Sequence, residues 1–141
     1  MRNLKKIIYI DDQMDILLVA EYALAEIGDY EVLMCEGGAE ALEKIEEFKP
    51  DLIVLDVMMP EIDGPETLSK VRKMEQFEVT PAIFITAKIF PNEIVELKAC
   101  DANVISVIAK PFNPIFISKT IQSAWDSFFS DDNKNSEAKP L

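Results

Sequence analysis

Five short apolar blocks, each followed by a longer segment of helical period, limit what this chain can become. The blocks are Lys6 to Ile10, Glu31 to Cys35, Asp51 to Leu55, Ala82 to Thr86 and Ser106 to Ala109. Their length and their content of Ile, Val and aromatic residues suit strands rather than helices. Strands that alternate with helices are joined by crossovers, so they pair in parallel and need helices on both faces of the sheet. The third and fourth blocks are nearly continuous Leu, Ile, Val and Phe, as burial on both faces requires of a central strand. The expected fold is α/β, a doubly wound five-stranded parallel sheet.

The intervening segments supply the helices. Leu17, Ala20, Leu24 and Ile27 recur at helical spacing, and Gly28 is placed to stop that helix with a positive φ. Ala41, Leu42, Ile45 and Phe48 make a second stripe, with Gly37-Gly38 at its start and Pro50 beyond its end. Gly64-Pro65 opens a third helix, since proline fits the first turn, and Leu68 and Val71 form its inner face. A fourth, near Asn92 to Cys100, is short and weakly amphipathic. The fifth follows Pro114, with Ile117, Ile121, Ala124 and Phe128 on one face and Trp125 beside them. Residues 1–129 read as one domain. The segment 130–141 contains almost nothing to bury and reads as a disordered polar tail.

Composition then removes whole classes of function. A chain of 141 residues buries roughly two-thirds of its unfolded surface, so it needs no disulfide or metal staple. Cys35 and Cys100 are isolated and read as small hydrophobes. With 14 basic and 26 acidic residues the net charge is −12, which repels phosphate backbones and argues against direct nucleic-acid binding. No apolar run approaches the roughly 20 residues that cross a bilayer. The stretch Ile7 to Ile10 meets Asp11 and Asp12 too soon for a secretion signal, so a cytoplasmic protein is expected. The chain has no histidine, which excludes Ser-His and Cys-His catalysis, histidine-ligated zinc and histidine autophosphorylation. Any phosphate handled here comes from an outside donor.

In a doubly wound sheet the functional groups gather at the carboxyl ends of the strands, where strand order reverses. The first block ends in Asp11 and Asp12, the third in Asp56, the fourth in Thr86 and the fifth in Lys110. Three carboxylates on one crevice repel one another and raise each other's proton affinity unless a strong cation joins them. Magnesium is the expected ion, because it prefers oxygen ligands and is held by one or two carboxylates plus a phosphate. No GxxxxGK[ST] or GxGxxG motif supplies a nucleotide cradle. Asp56 is then a candidate nucleophile that forms an acyl phosphate, with Lys110 as a point charge and Thr86 as a hydroxyl donor for the phosphoryl oxygens.

These residues resemble the receiver domain of two-component response regulators, over about residues 4 to 128. The motifs that carry the resemblance are Asp11-Asp12, Asp56-Val57-Met58-Met59-Pro60 followed by Asp63-Gly64, then Thr86-Ala87 and Lys110-Pro111-Phe112. The resemblance implies a flavodoxin-like (βα)5 fold with Asp56 as phosphoacceptor. Its donor would be a phosphohistidine on a sensor histidine kinase or a histidine phosphotransfer protein. It implies Mg2+ held by Asp11, Asp12, Asp56 and the backbone carbonyl of Met58, with Thr86 and Lys110 on the phosphoryl group. It also implies a cis peptide before Pro111, and an output face on the fourth helix, fifth strand and fifth helix that meets a downstream protein or a second copy of the chain.

Departures from the family pattern qualify this. Val107 stands where a switch aromatic often sits, and Cys100-Asp101-Ala102-Asn103 lacks the common Gly-Ala pair, so activation is expected to propagate differently. Met58 cannot orient a hydrolytic water, and Lys88 flanks the site on the other side; a long-lived phosphorylated form is expected. The short tail favours a single-domain regulator whose output is a protein contact. Two alternatives remain: a pseudo-receiver that binds partners without phosphorylation, and a Mg-dependent phosphatase with an aspartate nucleophile. The phosphatase lacks its acid two residues after the nucleophile, where Met58 stands.

Overall fold

Where the sequence is apolar in short blocks, the backbone is extended. The computed structural model describes residues 2–87 and 90–138. Among them are the strands β1 (Lys6–Ile10), β2 (Glu31–Cys35), β3 (Leu52–Asp56), β4 (Ala82–Thr86) and β5 (Val104–Ala109). The helices are α1 (Met14–Glu21), α2 (Gly38–Phe48), α3 (Gly64–Arg72), α4 (Pro91–Ala99) and α5 (Ile117–Ala138). The strands form one sheet in the order β2-β1-β3-β4-β5, and every pairing is parallel. The chain steps outward to β2 and then returns past β1 to β3. This reversal opens a crevice at the carboxyl ends of β1 and β3.

Two strand boundaries shift. β3 begins at Leu52 because the Asp51 carboxylate turns onto the backbone N–H groups of Lys5 and Lys6, at 3.0 and 2.9 Å. β5 begins at Val104, with an irregular register opposite Ala82 and Ile83.

Successive strand residues point to opposite faces, so each central strand feeds two cores. Ile7, Tyr9, Leu52, Val54, Ile83 and Ile85 pack with Leu17, Leu24, Ile117, Ile121 and Trp125 from α1, its extension and α5. Ile8, Ile10, Ile53, Leu55 and Phe84 pack with Ala41 and Ile45 of α2 and Leu68 and Val71 of α3. Each large side chain buried in this way contributes about 1.5–3 kcal/mol. α4 is the exception, with no buried residue. The loop that follows it is held instead by Arg72, whose Nε and Nη2 donate to both oxygens of Asp101 at 2.8 and 3.1 Å. Nη1 of the same guanidinium donates to the carbonyl of Phe77 at 2.8 Å.

The end of the first helix differs from expectation. α1 runs on into a π-helical segment, Tyr22–Ile27, and the Gly28 N–H reaches back to the carbonyl of Ala23 at 3.0 Å. Gly28 has φ −83°, and the left-handed residue is Asp29, at φ 62°. Glycine is required at 28 for closeness: a Cβ there would stand 2.8 Å from both the Leu24 carbonyl oxygen and Ser118 Cβ. α2 ends on Lys49 at φ 53°, just before Pro50. α3 is capped by Asp63, whose Oδ1 accepts from the Glu66 N–H at 2.8 Å. The segment expected as a polar tail over 130–141 continues α5 as far as Ala138, and 139–141 lie outside the described residues. Among the described residues, no helix is long and apolar enough to cross a membrane.

Candidate functional site

Because β1 and β3 are neighbours, their ends bring Asp11, Asp12 and Asp56 together. One carboxylate oxygen from each lies within 4.8 Å of the other two. Asp11 has no exposed surface, Asp56 is 6% exposed and Asp12 is open to solvent. The Asp11 Oδ1 accepts from the Gln13 N–H at 3.0 Å, which fixes the carboxylate at the mouth of the loop.

Lys110 reaches this cluster from the end of β5. Its ammonium lies 2.8 Å from Asp11 Oδ2 and 3.2 Å from Asp56 Oδ2, and donates to Gln13 Oε1 at 2.8 Å. The contact with Asp11 is an ion pair by distance, without hydrogen-bond alignment at that oxygen. The lysine is aimed by its backbone: its N–H donates to the Thr86 carbonyl at 2.8 Å, and the Lys110–Pro111 peptide is cis, as the resemblance implies.

Charge in the crevice is unbalanced. Burial, then the charge of Asp11, raises the Asp56 carboxyl above the ordinary carboxylate range; Lys110 opposes this and Asp12 adds to it. Burial pulls Lys110 down, but its contacts with Asp11 and Asp56 outweigh burial and leave it above the usual lysine value. Two partly desolvated acids thus share one ammonium, with a third acid beside them.

The β3–α3 loop holds Asp56 in place. The Val57 N–H donates to Ile85 O at 3.0 Å, and the Gly64 N–H returns to Val57 O at 2.8 Å. A Cβ at Gly64 would run into the carbonyl oxygen of Asp56 and stand 3.0 Å from Val57 Cα, so only glycine lets α3 begin here. Met58 follows in this loop with its side chain 60% exposed. Thr86 is buried at the end of β4 and, with Val57 and Met58, lines a groove of about 460 Å³ that continues to Glu93, Leu97 and Cys100 of the α4 region. Val107 is partly buried and packs toward the α2–α3 core. Lys88, expected to flank the site, lies outside the described residues.

All the residues singled out at the strand ends therefore converge on one rim: Asp11, Asp12, Asp56 and Lys110 directly, Thr86 and Met58 along the adjoining groove. Three carboxylate oxygens, one from each aspartate and all within 4.8 Å of one another, form a hard-oxygen set of the kind that suits Mg2+. Sequence reasoning missed Gln13, whose backbone and side chain bind Asp11 and Lys110, although its place directly after the aspartate pair was a usable signal. It also passed over Tyr9, whose buried hydroxyl finds no partner among the described residues.

Comparison with known proteins agrees with this geometry. The family model of the response regulator receiver domain matches residues 7–122. The alkaline phosphatase synthesis transcriptional regulatory protein PhoP of Bacillus subtilis is 35% identical over 119 residues, covering 84% of this chain and 48% of that protein. Response regulator Rre1 of Synechocystis is 28% identical, covering 77% of this chain and 46% of that protein. The chain thus spans about half the length of these curated relatives. Among solved structures, chemotaxis response regulator CheY4 of Vibrio cholerae superposes with a TM-score of 0.77 at 32% identity, covering 86% of this chain and 99% of that one. Sequence match, sheet order and carboxylate crevice agree, and the chain belongs to the response regulator receiver domain family.

Proposed function

We propose that Asp56 accepts a phosphoryl group from a phosphohistidine on a sensor histidine kinase or histidine phosphotransfer protein, and that the acyl phosphate changes a protein-binding surface. The observation that carries this reading is the pair of contacts from one lysine to two buried aspartates, beside a third carboxylate within 4.8 Å. An Asp56 oxygen attacks phosphorus, an O–P bond forms, the P–N bond breaks and its electron pair returns to the imidazole nitrogen of the donor histidine. Asp11, Asp12, Asp56 and the Met58 carbonyl would hold Mg2+, which would supply positive charge to offset that of the carboxylates and the phosphoryl group. Lys110 meets the phosphoryl oxygens from the β5 side and Thr86 from the groove side, and both act by position and charge.

The surroundings of the crevice support a protein donor. Met14, Leu18 and Tyr22 are spaced by four and are 53%, 62% and 60% exposed, which makes an apolar stripe leading away from Asp12. Ile115 and Phe116, after Lys110, are also exposed, and the Gln13–Lys110 contact joins the two loops. Apolar surface rimming an acidic crevice suits a helical partner that delivers phosphate. For output, α4 has no fully buried residue and leaves Val95 65% exposed, which supports the α4–β5–α5 face as a surface for a downstream protein or a second copy. On this reading the receiver domain turns over no substrate other than its own phosphoryl group.

The deciding experiment is intact-mass spectrometry after incubation with acetyl phosphate and Mg2+, followed by mapping of the modified residue. One phosphoryl group on Asp56 is the expected result. No adduct, or an adduct elsewhere, overturns the reading.

A further inference from the structure

One buried polar group is left over when the crevice is assembled. Tyr9 has no exposed surface, and its hydroxyl has no hydrogen-bond partner among the described residues. A buried hydroxyl left unpaired is costly, and phenylalanine in the same space would avoid that cost. Yet the ring is not remote from the chemistry. Tyr9 lies on β1 two residues before Asp11, so strand alternation directs both side chains to the same face of the sheet. Its strand neighbour in β3 is Val54, two residues before Asp56.

A tyrosine hydroxyl is a neutral O–H donor near neutral pH. Among the described residues the other buried polar atom without an aligned hydrogen bond is Asp11 Oδ2, which is held only by its ion pair with the Lys110 ammonium. One buried donor and one buried acceptor, on the same face of the same strand end, are complementary. A divalent cation among the carboxylates would repel an ammonium held 2.8 Å from Asp11, but it would not repel a neutral phenol.

We infer that Tyr9 is a positioning residue for the cation site: its hydroxyl donates to Asp11 when a divalent cation displaces Lys110 from that carboxylate. The inference rests on the reading of the crevice as a Mg2+ site. It assigns the cost of the unpaired hydroxyl to the cation-free protein and its benefit to the loaded one.

The test uses the full chain and its Tyr9→Phe variant. Mg2+ affinity is measured by calorimetry, and thermal midpoints are measured in EDTA. The expected result is a midpoint in EDTA equal to or above that of the parent, with Mg2+ bound about tenfold more weakly. In 13C-tyrosine-labelled parent protein, the Cζ signal lost in Tyr9→Phe should move on saturation with Mg2+, while those of the other two tyrosines, Tyr22 and Tyr30, stay in place. Unchanged affinity overturns the inference, and so does a Tyr9 signal that ignores Mg2+. A midpoint lowered by several degrees in EDTA also overturns it, because the hydroxyl would then already have a stabilising partner in the cation-free protein. A parent protein that binds no Mg2+ defeats the crevice reading itself, a different failure from a parent that binds while the variant binds equally well.

Discussion

Lys110 places its ammonium 2.8 Å from Oδ2 of Asp11, a carboxylate with no exposed surface, across the full distance from β5 to β1. The lysine side chain is itself only 10% exposed. One monovalent charge thus holds a position at which a divalent ion would compensate the three acids better.

Replacing that charge should expose the imbalance. Lys110→Met leaves Asp11 and Asp56 buried without a counter-charge, and breaking such a pair from one side costs about 3–5 kcal/mol. The thermal midpoint in EDTA should fall by several degrees, and Mg2+ at 10 mM (about a hundredfold over a weak site) should recover most of the loss. Equal losses with and without Mg2+ would contradict this account.

Asp56→Asn should block phosphorylation by acetyl phosphate and also stabilise the cation-free fold. The folded carboxyl is raised by burial and by Asp11, so its stability contribution is complete below the unfolded value of about 3.9 and is lost as pH rises through the higher folded value. At pH 7 the ionised aspartate is therefore a burden that asparagine lacks. Denaturant midpoints in EDTA should favour the variant at pH 7, with the gap closing toward pH 4. Partner binding by the variant that equals that of phosphorylated parent would point to the pseudo-receiver alternative.

The Arg72–Asp101 pair has the opposite pH signature. Burial draws the Asp101 carboxyl up, but the Arg72 guanidinium and the Asn103 N–H together hold it below the usual range. Its contribution is present above the unfolded value and disappears as pH falls through the lower folded one. Asp101→Asn should cost about 2 kcal/mol near neutrality, measured by urea denaturation, and much less below pH 3.

The phosphorylated form should outlast minutes in Mg2+ buffer. Met58 is exposed beside Asp56 and offers no hydrogen bond to orient an attacking water. Quench-and-mass measurements that gave a half-life of seconds would refute this.

The fold was legible because its signals are local and repeated. Each apolar block from Lys6 to Ala109 forms a strand within two residues of its expected ends, and the ends of β1, β3, β4 and β5 carry the polar residues of the crevice. What escaped depends on contacts between distant segments. Gly28 looks like a helix stop in the sequence, but it is fixed by Ser118, ninety residues away, and no pattern marks the π-helical turn before it. Tyr9 reads as an ordinary strand aromatic, and only its burial next to a charged crevice shows the hydroxyl to be unusual. Val107, flagged from sequence as a missing aromatic, is simply partly buried packing toward the α2–α3 core.

α4 lies on the sheet without burying a residue, while the loop beyond Cys100 is clamped by the two-pronged grip of Arg72. A rod pinned at one end and loosely seated along its length acts as a lever. Its amide protons should exchange with solvent sooner than those of α2 or α3. Motion begun near Thr86 would swing the Pro91 end most, so a displacement of an ångström at the crevice could be read some distance away without disturbing the layers beneath.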